Sequence, residues 1–197
     1  MFKKIRILIL LLVLLAVAVN SFYDSNQNWS APVYVMLVPI NADGSPMTQQ
    51  YIDGLQGKDF QEINEYLGTQ AKTYHQAVRM YYQLGGQVSA LPPAVPQDGS
   101  VISAIIWSLK FRYYAYQHRP DMGVTPSLTL FLNYYDPSHK QLTHISTALE
   151  NGRIGVVNLF ASKEKTANNN VVVAHESLHG FGATDKYNLT NGQPIYP

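Results

Sequence analysis

The chain has 197 residues, a formal net charge of +1 at pH 7 and no cysteine. Lys3, Lys4 and Arg6 lie at the extreme N-terminus, and without them eleven basic residues face thirteen acids, a net of −2. That balance lacks the basic footprint of a nucleic-acid binder, and the absence of thiols excludes disulfides and thiolate metal sites.

Behind the three cations runs Ile7 to Val19, thirteen apolar residues without interruption. This is the n-region and h-region of a secretory signal, with Ala16-Val17-Ala18 as a small-residue cleavage site. The alternative for residues 1–23 is an uncleaved membrane anchor. Counted from Ile5 the stretch is fifteen residues, short of the roughly 20 that span a bilayer, though Phe22 and Tyr23 extend it into the interface. Either way the positive end stays cytoplasmic, and the remainder is exported to a periplasmic or other extracytoplasmic space. About 175 residues follow the leader, enough for one domain with a real core, taken as 29–197.

The first element of that domain is a strand, Val33 to Val38, which is apolar and β-branched and is expected to end at Pro39. Residues 41–46 read as a loop. From about Thr48 to His75 the pattern is helical, with Phe60, Ile63 and Leu67 at spacings of three and four, and Gly54 and Gly57 separate a short first helix from a longer second one. Either Val78 to Leu84 or Gln87 to Leu91 supplies a second strand, and residues 91–96 form a proline-rich extended linker. Val101 to Tyr116 reads as a helix with Ile102, Ile105, Ile106 and Leu109 toward the core. Its Tyr113, Tyr114 and Tyr116, with Lys110 and Arg112, offer a membrane-facing or partner-facing surface. The plainer reading, preferred here, packs those aromatics on the sheet. Leu128 to Leu132 and Ile154 to Phe160 are further strands, and a last helix follows. The order is α/β.

That last helix carries His175-Glu176-Ser177-Leu178-His179. Asn168-Asn169-Asn170 can cap it or end the preceding loop, and residues 171–174 give it a buried face. Positions four apart share one helical face, so His175 and His179 can hold one Zn²⁺ together with Glu176 beside the open position. Zinc brings the pKa of a coordinated water near 7, and an adjacent carboxylate can take its proton. The bland alternative is a surface helix with two unrelated histidines. Catalytic zinc sites usually have three protein ligands. From Gly180 to Pro197 there is neither Glu nor His, and Asp185 is the only carboxylate. Gly180 and Gly182 let the chain leave the helix and curl Asp185 back toward the metal; otherwise Asp185 is a turn residue. His75, His118, His139 and His144 lack ligand spacing and read as surface histidines, His139 after the turn signature Asp136-Pro137-Ser138.

The run from His175 through Gly182 to Asp185 resembles the metzincin zinc peptidases, in the variant where Asp replaces the third His. A longer stretch, Asn169 to His179 with Gly182 to Tyr187, is similar to a family of bacterial membrane-associated proteins, and the likeness takes in Trp29 to Ile40 and Gly155-Val156-Val157-Asn158. The resemblance implies a metzincin-like zincin fold of the α/β (α+β) class: a mixed sheet, packed helices and a zinc-bearing active-site helix. It implies a zinc metallopeptidase acting on a peptide or protein, with His175, His179 and Asp185 as metal ligands and Glu176 as catalytic base. The family's Met-containing turn beneath the metal has no counterpart, since the last Met is Met122; either the chain is truncated at its C-terminus, the favoured explanation, or the floor of the site is built differently. The alternatives are a non-catalytic zinc-binding envelope protein and a zinc amidase acting on cell-wall peptides.

Overall fold

The computed structural model describes residues 2–138, 145–187, 193 and 195. Its elements, in order, are helix α1 (Phe2–Ser25), strand β1 (Val33–Asn41), helix α2 (Pro46–Asp53), a 3-10 turn (Gly57–Phe60), helix α3 (Gln61–Thr73), strand β2 (Met80–Leu84), helix α4 (Val101–His118), strands β3 (Leu128–Tyr135), β4 (Thr147–Leu149) and β5 (Ile154–Phe160), a 3-10 turn (Lys163–Lys165) and helix α5 (Thr166–Gly180). The five strands form one sheet in the order β2-β1-β3-β5-β4. β2, β1, β3 and β5 are parallel, and β4 closes one edge antiparallel to β5, with Ala148 opposite Gly155.

Both faces of the sheet are covered, which is why β1 and β3 are continuously apolar rather than alternating. Val33, Val35 and Leu37 of β1, with Leu128, Leu130 and Leu132 of β3, point toward α2, α3 and α5 and pack with Ile52, Ile63 and Val173. Met36, Val38 and Ile40, with Phe131 and Val156, point the other way and pack against Trp107, Phe111 and Tyr114 of α4. The break expected between the first two body helices falls at 54–60. α2 is capped by Ser45, whose hydroxyl accepts the Thr48 N–H, and starts with Pro46 in its first turn.

Two expectations are corrected, one pair of alternatives is decided and one strand is added. Pro39 does not end β1. It pairs opposite Leu132 two residues from the strand's end, and its carbonyl accepts the Val88 N–H on the side where β2 has already stopped at Leu84. Its missing N–H points to that same side, so no ladder bond is lost. The second strand is Met80–Leu84, and Gln87 to Leu91 has no regular structure. β4 was not foreseen; three residues carry too little pattern to read. The second correction concerns α4. Ile102, Ile105, Ile106 and Leu109 are exposed, and the buried stripe is Trp107, Phe111, Tyr114 and Ala115. The indole N–H of Trp107 donates to Pro93 O and the Tyr114 hydroxyl to Ala90 O, so the proline-rich linker seats the aromatic face on the sheet.

α1 is 24 residues long, apolar and unburied, long enough to cross a membrane. It can be a signal or an anchor segment.

The two faces of α4 predict opposite mutational outcomes. Phe111→Ala removes a fully buried ring and should cost about 3–5 kcal/mol. Ile105→Ala should change stability by no more than about 0.5 kcal/mol. Urea denaturation of the detergent-solubilised full chain compares them. Equal losses would place the core on the other face of α4.

Candidate metal centre

α5 is held against the sheet at three levels. Near its start, the Asn169 side-chain amide donates to Phe160 O and its carbonyl oxygen accepts the Phe160 N–H, completing the end of β5. Asn170 donates to Asp59 O in the first 3-10 turn. These asparagines therefore do not cap the helix, which begins earlier at Thr166; they are buried cross-links. In the middle, Val173 enters the core while Val171 is exposed, so the apolar run supplies a narrower buried face than expected. At the end, Gly180 lies so close to β3 that a Cβ there would sit 2.7 Å from Leu128 Cδ1.

Gly182, not Gly180, makes the turn. Its φ is +89°, in the left-handed region. The Gly182 N–H donates to His179 O and the Ala183 N–H to Leu178 O. This pair of bonds is a Schellman closure of the helix. It satisfies two terminal carbonyls and sends the chain back along the helix end, which brings Asp185 over the histidines.

His175, His179 and Asp185 thereby converge. The two Nε2 atoms are 3.0 Å apart. Asp185 Oδ1 lies 3.7 Å from His175 Nε2 and 3.5 Å from His179 Nε2. Three donors at about 2.1 Å from one ion with tetrahedral angles lie about 3.3–3.4 Å from each other, so this spacing fits a single small cation. The tautomer fits too. His179 Nδ1 is 2.7 Å from Ala183 O. A carbonyl can only accept, so Nδ1 carries the proton and Nε2 presents its lone pair to the site. His175, His179 and Asp185 can hold a metal ion.

Glu176 sits on the helix between the histidine face and the core face and is almost fully buried. Its Oε2 has no hydrogen-bond partner among the described residues. Burial pushes its carboxyl up to about 7, with the neighbouring His179 opposing the rise and the negative charge of Asp185 adding to it. A carboxyl poised near neutrality beside three convergent metal donors is what proton transfer at pH 7 requires.

Residues that local sequence reading missed support the turn. The Arg153 guanidinium stacks 4.6 Å above the Phe181 ring, and the Trp29 ring lies 5.2 Å from Phe181. Arg153 also donates to Gln27 Oε1 and to the Asp24 carbonyl. The segment leaving α1 is thus clamped to the turn that carries Asp185. Only contacts distant in sequence assign Arg153 this role; its neighbourhood, Asn151-Gly152-Arg153, reads simply as a turn. His75 and His118 stand apart from the site, after α3 and at the end of α4. His139 and His144 lie outside the described residues, as does most of the chain beyond Tyr187.

Comparison of the chain with protein-family models and with curated proteins gives no match.

Gly182→Ala tests the turn. A side chain at positive φ costs about 1–3 kcal/mol, and the new Cβ would meet Glu150 Oε1 at 3.0 Å. The melting temperature should fall and metal affinity should fall with it, because Asp185 is re-aimed. Unchanged metal affinity in Gly182→Ala would mean that this turn does not position a ligand.

Proposed function

We propose that this chain is an exported zinc-dependent metallopeptidase of the metzincin-like kind, hydrolysing a peptide bond in a peptide or protein substrate. The observation that carries the reading is the convergence of His175, His179 and Asp185 with the buried, unbonded carboxyl of Glu176 beside them. Zinc suits a donor set of two imidazoles and one carboxylate. Bound there, it supplies Lewis-acid chemistry, polarising the scissile carbonyl and acidifying water.

The chain's own residues do the rest. His175 and His179 present neutral imidazole nitrogens from one helical face. Asp185 completes the set and offsets one positive charge. Glu176 takes a proton from the attacking water onto a carboxylate oxygen as the water oxygen bonds to the carbonyl carbon. As the C–N bond breaks, Glu176 gives that proton to the departing amine nitrogen.

The four parallel strands with one antiparallel edge strand next to the site helix are consistent with a zincin scaffold, and α1 fits a leader or anchor that delivers the domain across a membrane. A non-catalytic zinc protein would have no use for Glu176, whose buried Oε2 has no hydrogen-bond partner among the described residues that would explain its burial. A cell-wall peptide amidase would share every step above and differ in substrate alone.

The purified full chain should carry one zinc per molecule, and His175→Ala or His179→Ala should abolish it. Asp185→Asn should lower zinc affinity, since Asn is a poor ligand although it serves well in turns. Glu176→Gln should retain full zinc and lose about 10²–10⁴-fold in peptide hydrolysis. Elemental analysis and cleavage of a denatured protein substrate read both quantities. Full activity in Glu176→Gln would remove it as the base, and a zinc-free wild type would remove the whole reading.

A further inference from the structure

The outer face of α4 remains unexplained by the site. Ile102, Ile105, Leu109, Tyr113 and Tyr116 are all more than half exposed. At about 100° per residue they fall in one stripe, directly opposite the buried stripe of Trp107, Phe111 and Tyr114. Lys110 and Arg112 lie on opposite flanks of that stripe, about 100° and about 60° from its centre by the same arithmetic, and α4 contains no Asp or Glu. A helix with one apolar face against its own protein core needs no second one. An exposed apolar stripe of this size marks a contact surface.

α1 shows what covers it. The C-terminal end of α1 is fastened to the domain: Ser21 donates to Asn151 Oδ1, the Gly152 N–H donates to Asp24 Oδ2, and Arg153 donates to Asp24 O. A single cleft is lined by Val17 and Asn20 of α1 and by Ser108, Leu109 and Arg112 of α4. The exposed face of α4 thus begins where the membrane-length helix ends.

We infer that α4 is an in-plane membrane helix, lying on the anionic lipid surface from which α1 emerges. Its aliphatic stripe enters the headgroup and acyl boundary, Tyr113 and Tyr116 sit at the interface, and Lys110 extends to lipid phosphates, while the Arg112 guanidinium packs beside Gly152 at the junction with α1. α4 covers the opposite face of the sheet from α5. Seating α4 on the bilayer therefore turns the layer that holds His175, His179 and Asp185 toward water, and substrate arrives from the aqueous side. The inference rests on α1 being retained in the membrane and is independent of the zinc reading.

The chain has no native cysteine, so single nitroxide labels report cleanly. The full chain, carrying Ile105→Cys, Leu109→Cys, Leu12→Cys on α1 or Tyr66→Cys on α3, is reconstituted into vesicles of phosphatidylethanolamine and phosphatidylglycerol. Accessibility to oxygen is then compared with accessibility to a water-soluble nickel chelate. Labels at 12, 105 and 109 should show an oxygen-to-chelate ratio several-fold above that of the label at 66. Ratios at 105 and 109 equal to that at 66 would put α4 in water and overturn the inference. Protection from both quenchers with spin–spin broadening would overturn it in favour of a second copy of the chain. A chelate-accessible label at 12 would overturn the premise that α1 is embedded. None of these outcomes depends on metal binding or hydrolysis.

Discussion

The left-handed turn at Gly182 is the constraint on which the candidate site depends. A helix can place two imidazoles four residues apart, but two donors leave a cation weakly held. The third donor arrives because the chain reverses within three residues of the helix end. The same reversal delivers the Ala183 carbonyl to His179 Nδ1. One backbone feature therefore closes the helix, aims Asp185 and selects the tautomer that leaves His179 Nε2 open to a metal.

That turn is supported from a distance. Gly180 lets α5 settle onto Leu128, so the histidines stand at a set height above the sheet. Phe181 is held between Trp29 and Arg153, and Arg153 is in turn held by the segment that leaves α1. The N-terminal segment and the ligand turn thus share one packed junction, although about 150 residues separate them in the chain. Burial of Glu176 follows from the same seating: the helix rotation that faces the histidines outward leaves position 176 against the core edge. Its raised pKa is a consequence of that geometry rather than of any single partner.

What could be read from residues alone, and what could not, divides along physical lines. β5 and the break between α2 and α3 were legible because apolar runs and glycine punctuation act locally. The convergence of His175, His179 and Asp185 was legible because helical spacing and a glycine turn constrain it locally. The inward face of α4 was misread because the helix has two apolar faces, and aliphatic spacing cannot tell which one meets the sheet. Trp107 and Tyr114 carried the better signal, since each brings a polar atom that finds a carbonyl in the proline-rich linker. Pro39 was misread because its tolerance depends on where β2 stops, which is a fact of the sheet and not of β1. Asn169 and Asn170 look like caps in sequence, but their partners are the end of β5 and the turn at Asp59, contacts that no local rule anticipates.

X-ray absorption at the zinc edge of the purified full chain tests the central claim most directly. The account predicts one zinc per chain, with two imidazole nitrogens and oxygen donors at about 2.0–2.2 Å. The imidazole outer-shell scattering should fall to that of one ring in His175→Ala wherever residual metal is retained. A chain that retains no zinc, or zinc whose spectrum contains no imidazole scattering, would contradict it.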